Sequence, residues 1–290
     1  MKIYVFEDNQ FSDFFPITST RAVFDVRIGQ STFLERIIKV FPEYSVSLIV
    51  RDNIKEVVSE QHPDFSVNPD YFDDCIWISG SVIWTKDDVK KVSVDNTAFL
   101  NSGRLVAARI SSSNAEKWNS NGGPLKCQPI DVKSENISVN QCNYLWDIIK
   151  SINQTINEDI IDLDAIDKDD FSVTHLINPD KIYINNASIM PGVLINAEKG
   201  PVIIDDNAQV CGQSYIEGPA YVGPNTIISP LTKIKDSVIG ENCKIGGELE
   251  SSVIQGFSNK VHEGHIGDSF LGEWVNLGAG TSNSNLKNNY

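Results

Sequence analysis

The sequence predicts two architectures in series. An α/β layer occupies residues 1–142 and a parallel β-helix of hexapeptide repeats occupies residues 171–290, with a helical linker at 143–170. Three observations carry this reading. Short β-branched and aromatic runs alternate with a helical pattern in the first part. Aliphatic residues recur at every sixth position in the last part. Composition changes between the two: all six arginines lie in the first 109 residues, whereas fourteen of the nineteen glycines follow residue 190.

The first part opens with "KIYVF", a strand by residue type. "STFLERIIKVF" follows with apolar residues at helical spacing, and Ser31 stands where an N-cap is expected. "VSLIV" is a second strand. A strand, a helix and a strand in that order open an α/β layer. "DCIWISGSVIW" and "NTAFLNSGRLVAARI" supply further strands, and "NSGR" is a hairpin turn. "YLWDIIKSINQTINEDIIDL", from about Cys142 to Asp167, returns to a helical pattern.

In the tail the period is six. Ile204, Val210, Ile216, Val222, Ile228 and Ile234 follow one another without a break. After a one-residue slip the period resumes at Ile239 and Ile245. It returns at Ile254 and Ile266, with Lys260 at the intervening step, then slips again to Leu271 and continues to Leu277. Neither a helix nor a simple hairpin has this period. In a parallel β-helix each unit makes one short strand and one tight turn, its aliphatic residue pointing inward. Gly, Asn and Asp between them accept the positive φ of the turns. "GAGTSNSNLKNNY" ends the sequence without a polar cap, so further coils are expected beyond a truncated C-terminus.

A net charge of −15 and a pI near 4.6 exclude a phosphate-backbone partner, which requires a basic stripe. The nearest thing to a lysine cluster is Lys90 and Lys91 with Lys86 close by. Small anionic ligands are not excluded. No apolar run reaches the length of a membrane span, and "MKIYVFED" reads as a strand rather than a signal peptide. The five cysteines are scattered and form no CxxC, which points to a reduced, cytoplasmic protein.

His262 and His265 stand three positions apart in "SNKVHEGHIGDSF". Because the inward positions of a β-helix are aliphatic, both belong on an outer face or a turn. One reading makes them solvated or interface histidines. The other uses an imidazole that titrates near neutral pH as a general base.

"KVHEGHIGDSFLGEWVNLGAGTSNSNLKNNY" resembles the acetyltransferase domain of the bifunctional hexosamine-1-phosphate acetyltransferase/uridylyltransferases of the GlmU type. That family carries a Lys-Ala-Gly-His segment, an Asn-Ile-Gly-Ala-Gly-Thr stretch and a Cys-Asn-Tyr. Counted from the histidine, its two functional asparagines fall at the offsets of Asn276 and Asn285. "NLGAGT" is similar to the family's CoA-facing loop. The GlmU-related subgroup of Bacteroidetes-type bacteria is closer still, strongly over residues 175–290 and more loosely before them. The resemblance implies a left-handed β-helix, a homotrimer and acetyl-CoA as co-substrate. It implies His262 as general base, Asn276 and Asn285 orienting acceptor and thioester, and Gly278, Ala279 and Gly280 at the CoA. His265 stands where the family has an acceptor-contacting tyrosine. The family's sugar-phosphate lysines are replaced by "GGELESS", with Glu248 and Glu250; Lys260 is either their substitute or an ordinary exposed lysine.

The N-terminal part resembles the nucleotidyltransferase-like, Rossmann-like domain of the same family. In place of its Gly-x-Gly-Thr-Arg loop stands "NQFSDFFPITSTRAVFDVRIG", so the resemblance assigns nucleotide or sugar phosphate to Thr20, Arg21 and Arg27. Structural or surface arginines are the alternative. The family's Mg²⁺-holding Asp after a central strand corresponds to Ser81 in "IWISGSV", which weakens metal-assisted phosphoryl transfer. Three functions follow. The first is an acetyltransferase of UDP-N-acetylglucosamine-type biosynthesis, acting on an amino sugar, its phosphate or its nucleotide conjugate, with nucleotidyltransferase activity open. The second is a non-catalytic sugar-nucleotide sensor or trimeric scaffold. The third is a zinc hydratase resembling γ-class carbonic anhydrases, for which the tail offers only His262, His265 and His175.

Overall fold

The computed structural model describes residues 2–160 and 174–283. The chain divides into two units, Met1–Val26 with Ser31–Tyr144, and Arg27–Gln30 with Leu145–Tyr290. Among the described residues no helix is long and apolar enough to cross a membrane, and the five cysteines are free.

The first unit is a mixed seven-stranded sheet. Its strands run in the order Ser66–Val67, Ser45–Ile49, Lys2–Phe6, Cys75–Ser79, Arg104–Ile110, Thr97–Asn101, Lys133–Asn136. Lys2–Phe6 lies between two parallel neighbours, pairing Tyr4 with Ser47 and with Trp77. Burial from both sides explains why it reads as a continuous apolar run rather than an alternating one. Tyr4 stacks on Trp77 at 4.9 Å, and Trp77 meets Trp118 of the helix Ser112–Ser120 at 4.7 Å. The "NSGR" turn joins Thr97–Asn101 to its antiparallel partner. Ser102 (φ 52°) and Gly103 (φ 84°) both take the left-handed conformation that a tight hairpin demands. The helix Phe33–Val40 starts one residue later than expected. Thr32, not Ser31, is its N-cap, because only Thr32 has Glu35 three residues on to complete a reciprocal capping box. Ser31 Oγ instead accepts a hydrogen bond from Lys39.

The second unit is a stack of coils carrying three ladders of parallel strands. The first ladder holds His175–Ile177, Leu194–Asn196, residues 215–217 and 233–235, Glu248–Glu250 and His265–Gly267. The second runs through Ile182–Ile184, Val202–Ile204, residues 220–222 and 237–239, Val253–Gly256 and Phe270–Glu273. The third holds Ser188–Ile189, Gln209–Val210, Ile227–Ile228, Lys244–Ile245 and Asn259–Lys260. Every aliphatic residue in the six-residue series from Ile204 to Ile266 is buried in one core, with Leu271 and Leu277 packed against it.

The slip after Ile234 has a local cause. Between the first and second ladders, the register moves by one residue between Glu217 and Ala220, so the next coil turns with one residue fewer. Leu249, which the six-residue count passes over, fills the first ladder's inward column beneath Ile234. The span 143–170 contains two helices, Leu145–Lys150 and Ile152–Asp159. They belong to the coil unit, where Ile152–Asp159 packs on the strands Tyr215–Val222 and Lys233–Ile239. Residues 161–170 lie outside the described residues.

Candidate functional site

His262 sits at the corner where the chain leaves the third ladder and enters the first. The turn at residues 261–264 lies between Gly246 and Gly247 of the preceding coil and residues 278–281 of the next. Gly246 N–H donates to the Lys260 carbonyl (2.7 Å), and Glu248 N–H to that of Gly264 (3.0 Å). Gly280 N–H donates to the Glu263 carbonyl (3.2 Å). A side chain on Gly246 would collide with the Val261 carbonyl, and one on Gly264 with that of Thr281. Glycine is therefore what lets these turns stack. Gly278 differs: its Cβ would meet nothing within 4 Å, and its backbone needs no left-handed φ. His262, Gly278, Ala279 and Gly280 are all exposed. The structure thus brings the imidazole-bearing turn and the glycine turn together as stacked neighbours.

His265 occupies the first ladder below Tyr215, Lys233 and Glu248. Its Nδ1 is 3.7 Å from Glu248 Oε2, while Glu248 Oε1 accepts from Lys233 Nζ at 2.6 Å. The Lys233 hydrogen bond holds the Glu248 carboxyl below its usual range. Beneath His265, Asn283 clamps the strand: Gly267 N–H donates to its Oδ1 (2.9 Å), and its Nδ2 donates to the Gly267 carbonyl (2.8 Å). Sequence reasoning assigned no role to Lys233 or Asn283; their link to His265 depends on the register between coils. Asn276 is exposed on the outer side of the third ladder, bridged to Asn259. Asn285 lies outside the described residues.

Lys260 is neither an exposed lysine nor an open phosphate contact. It continues the inward column of Ile228 and Ile245 and is 2% exposed. Its ammonium donates to the carbonyls of Gly246 (2.8 Å), His262 (3.0 Å) and Gly264 (2.9 Å). Burial pulls its pKa below the usual lysine value, against the opposing charges of Glu263 and Glu248.

In the first unit, the strand order reverses direction about Lys2–Phe6, which places the switch point of this α/β sheet at the carboxyl ends of Lys2–Phe6 and Cys75–Ser79. A cleft of about 400 Å³ opens at this edge, lined by Asp8, Asn9, Gln10, Arg104, Lys126 and Gln128. Arg104 forks onto Asp8 (Nε to Oδ2 2.7 Å, Nη2 to Oδ1 2.8 Å), and its Nη1 donates to Asn143. A larger concavity of about 590 Å³ lies at the opposite edge, around Asp74 and Arg109, where the strand Cys75–Ser79 begins. The carboxyl-end cleft is the one the topology marks as a ligand site. Neither Arg104 nor Lys126 was singled out from sequence, although Asp8 stands two residues past the first strand and Arg104 closes the "NSGR" turn.

The segment standing for the family's phosphate loop is held from below. Arg51 donates from its backbone N–H and its Nη1 to Glu7 (2.8 and 2.7 Å), and from Nη2 to the carbonyls of Thr18 and Arg21. Burial pushes the Glu7 carboxyl up to about 7, against the pull of Arg51. Thr20 is exposed and Arg21 buried. Arg27 belongs to the other unit. Its Nε donates to the Gln255 carbonyl (2.9 Å), its Nη1 to the Gln30 carbonyl (2.7 Å) and its Nη2 to Glu241. With all three guanidinium nitrogens engaged and 6% of the residue exposed, Arg27 offers no face to a phosphate. Ser81 is buried after the strand Cys75–Ser79, its Oγ 3.2 Å from that of Ser79. Two hydroxyls at this strand end do not make the carboxylate set that Mg²⁺ prefers. Among the described residues no three His, Cys, Asp or Glu side chains converge as a metal site.

Known proteins similar to this chain are sugar nucleotidyl transferases and GlmU-type bifunctional enzymes. A family described as sugar nucleotidyl transferase matches residues 3–166. The bifunctional protein GlmU of Acaryochloris marina is 30% identical over 182 residues, covering 56% of this chain and 38% of that protein. GlmU of Thermodesulfovibrio yellowstonii is 36% identical over 107 residues, 34% of this chain and 22% of its own length. A bifunctional sugar-1-phosphate nucleotidylyltransferase/acetyltransferase of Sulfurisphaera tokodaii is 40% identical over 97 residues, covering 31% and 23%. The chain thus spans well under half the length of these relatives.

Proposed function

This chain belongs to the sugar nucleotidyl transferase family, and from that premise we propose that it transfers an acetyl group from acetyl-CoA to an amino sugar, free, phosphorylated or nucleotide-linked. The coil stack is then a left-handed β-helix acting as a homotrimer. The observation that carries this reading is the stacking of the His262 turn on the exposed glycine turn at residues 278–281. Gly278 lacks a side chain although neither packing nor φ requires its absence, which suits close approach of a ligand to the backbone.

In this mechanism His262, in its neutral form, takes a proton from the acceptor's amine as the nitrogen attacks the thioester carbonyl. Backbone N–H groups at the glycine turn stabilise the tetrahedral oxyanion, and Asn276 and Asn285 orient the two substrates. Collapse breaks the C–S bond, and the imidazolium returns its proton to the leaving thiolate. His265, braced by Glu248, faces the acceptor. The first unit holds the nucleotide or sugar phosphate in its carboxyl-end cleft, where Arg104 and Lys126 are the cations in the lining. With serine in place of the metal-binding carboxylate, that unit binds rather than transfers.

A second reading, a non-catalytic sugar-nucleotide sensor or scaffold, is favoured by Ser81 and by Glu248 where relatives of this type place cations. CoA release from acetyl-CoA, measured across amino sugars, their 1-phosphates and nucleotide conjugates, decides between them. Release with one acceptor, abolished in His262→Ala, is expected. No release with any acceptor from intact oligomers would establish the sensor or scaffold.

A further inference from the structure

Lys260 breaks the rule of its own column. Val210, Ile228 and Ile245 precede it at the inward position of the third ladder, where a methyl-bearing side chain fills the core. A lysine there places an ammonium in an apolar stack, which is unfavourable unless every donor finds an acceptor. Here each does. Three N–H groups meet three backbone carbonyls, those of Gly246, His262 and Gly264, all within 3.0 Å. No side-chain carboxylate takes part in these contacts.

The placement of the three carbonyls matters more than their number. One belongs to the preceding coil. The other two belong to His262 itself and to Gly264, and so bracket the corner that projects the imidazole. A turn containing Gly264 at φ +126° is otherwise soft, because glycine there imposes no conformational preference of its own. The ammonium gathers both ends of that turn and ties them to Gly246. The glycine at 247 is part of the same arrangement: a Cβ there would stand 2.9 Å from Lys260 Nζ.

We propose that Lys260 is a positioning residue for His262, an internal cation that fixes the corner from inside the coil so that the imidazole keeps one orientation over the glycine turn at residues 278–281. It touches no substrate. The inference rests on the acetyl-transfer reading of His262 and adds to it a device that the family resemblance would have assigned to substrate binding.

Lys260→Met in the full chain is the test. Methionine is unbranched, fits the aliphatic column and removes only the ammonium. The variant should keep its oligomeric state and cooperative unfolding. Its amides at residues 262–265 should exchange hydrogen at least about 10-fold faster, while those of Ile228 and Ile245 stay protected. With acetyl-CoA and the acceptor selected by the panel, kcat should fall about 10-fold or more at little-changed KM. Lys260→Ala assayed with added ammonium should regain part of that loss, as a merely space-filling lysine would not. Wild-type exchange at the corner overturns the inference, as does wild-type kcat in Lys260→Met when His262→Ala is inactive. Transfer that survives His262→Ala overturns the His262 reading and this inference with it.

Discussion

Arg27 provides the sharpest separation between what its sequence context implies and what its contacts imply. Replace it with methionine. Three guanidinium hydrogen bonds disappear, to the Gln255 and Gln30 carbonyls and to the Glu241 carboxylate. The backbone bond from Arg27 N–H to Gln255 Oε1 (2.9 Å) is retained. Removing one partner of a buried ion pair costs roughly 3–5 kcal/mol because the remaining partner is left desolvated. Glu241 is about a third exposed and rehydrates in part, so the low end, about 3 kcal/mol, is appropriate. For a domain of this size each kcal/mol lowers the melting temperature by about 2–4 °C, giving a drop of about 6–12 °C. Calorimetry on the full chain, with the same variant titrated with UTP and UDP-N-acetylglucosamine, reads both quantities. The expected result is a lower transition with unchanged ligand affinity. An unchanged transition with weakened nucleotide binding would refute the structural role and restore the phosphate-contact one.

Three further outcomes are expected. Gly246→Ala should lower stability strongly, since the new methyl meets the Val261 carbonyl, whereas Gly278→Ala should melt like the wild type yet bind acetyl-CoA more weakly; equal melting of both would undo the stacking argument. His62 Nε2 lies 2.8 Å from Asp25 Oδ1. Burial by itself lowers the His62 pKa, but the Asp25 hydrogen bond and charge, aided by Glu35, raise it overall above its ordinary 6.5. The folded state therefore binds the extra proton. Its contribution is full below about pH 6.5 and is lost as pH rises through the raised value, so denaturant midpoints should fall across that window and flatten in His62→Gln. Glu248→Gln releases both Lys233 and His265. Because that pair is half-exposed, stability should change by less than about 1 kcal/mol while the acceptor's KM rises several-fold; an unchanged KM would remove His265 from the acceptor side.

The coil stack was legible because its signal is periodic and local. Each inward aliphatic residue announces itself six positions from the last, and the structure buries the whole series. The "NSGR" turn was legible for a similar reason, since positive φ at Ser102 and Gly103 is a demand that short-range chemistry expresses. The N-cap was displaced from Ser31 to Thr32 because two adjacent hydroxyl residues compete and only the reciprocal Glu35 contact decides. Leu249 escaped the count because the turn after Ile245 is tighter than the one after Ile228, so that Leu249 comes four positions on where Ile234 comes six.

By itself, then, the sequence determined that an α/β layer precedes a stack of parallel coils and that His262 lies on the outside of that stack; its place beside the glycine turn came from the register between coils. Periodicity and turn chemistry operate over a few residues and can be read along the chain. Only the tertiary structure decided what the long cations do. Arg27 binds a carbonyl 228 positions away, Lys260 points inward to three carbonyls of two coils, and Arg104 forks onto Asp8. A lysine or arginine carries its charge on a flexible stem that reaches solvent, ligand or buried acceptor equally well. Residue type leaves that choice open, and the acceptors that settle it are assembled only when distant segments pack together.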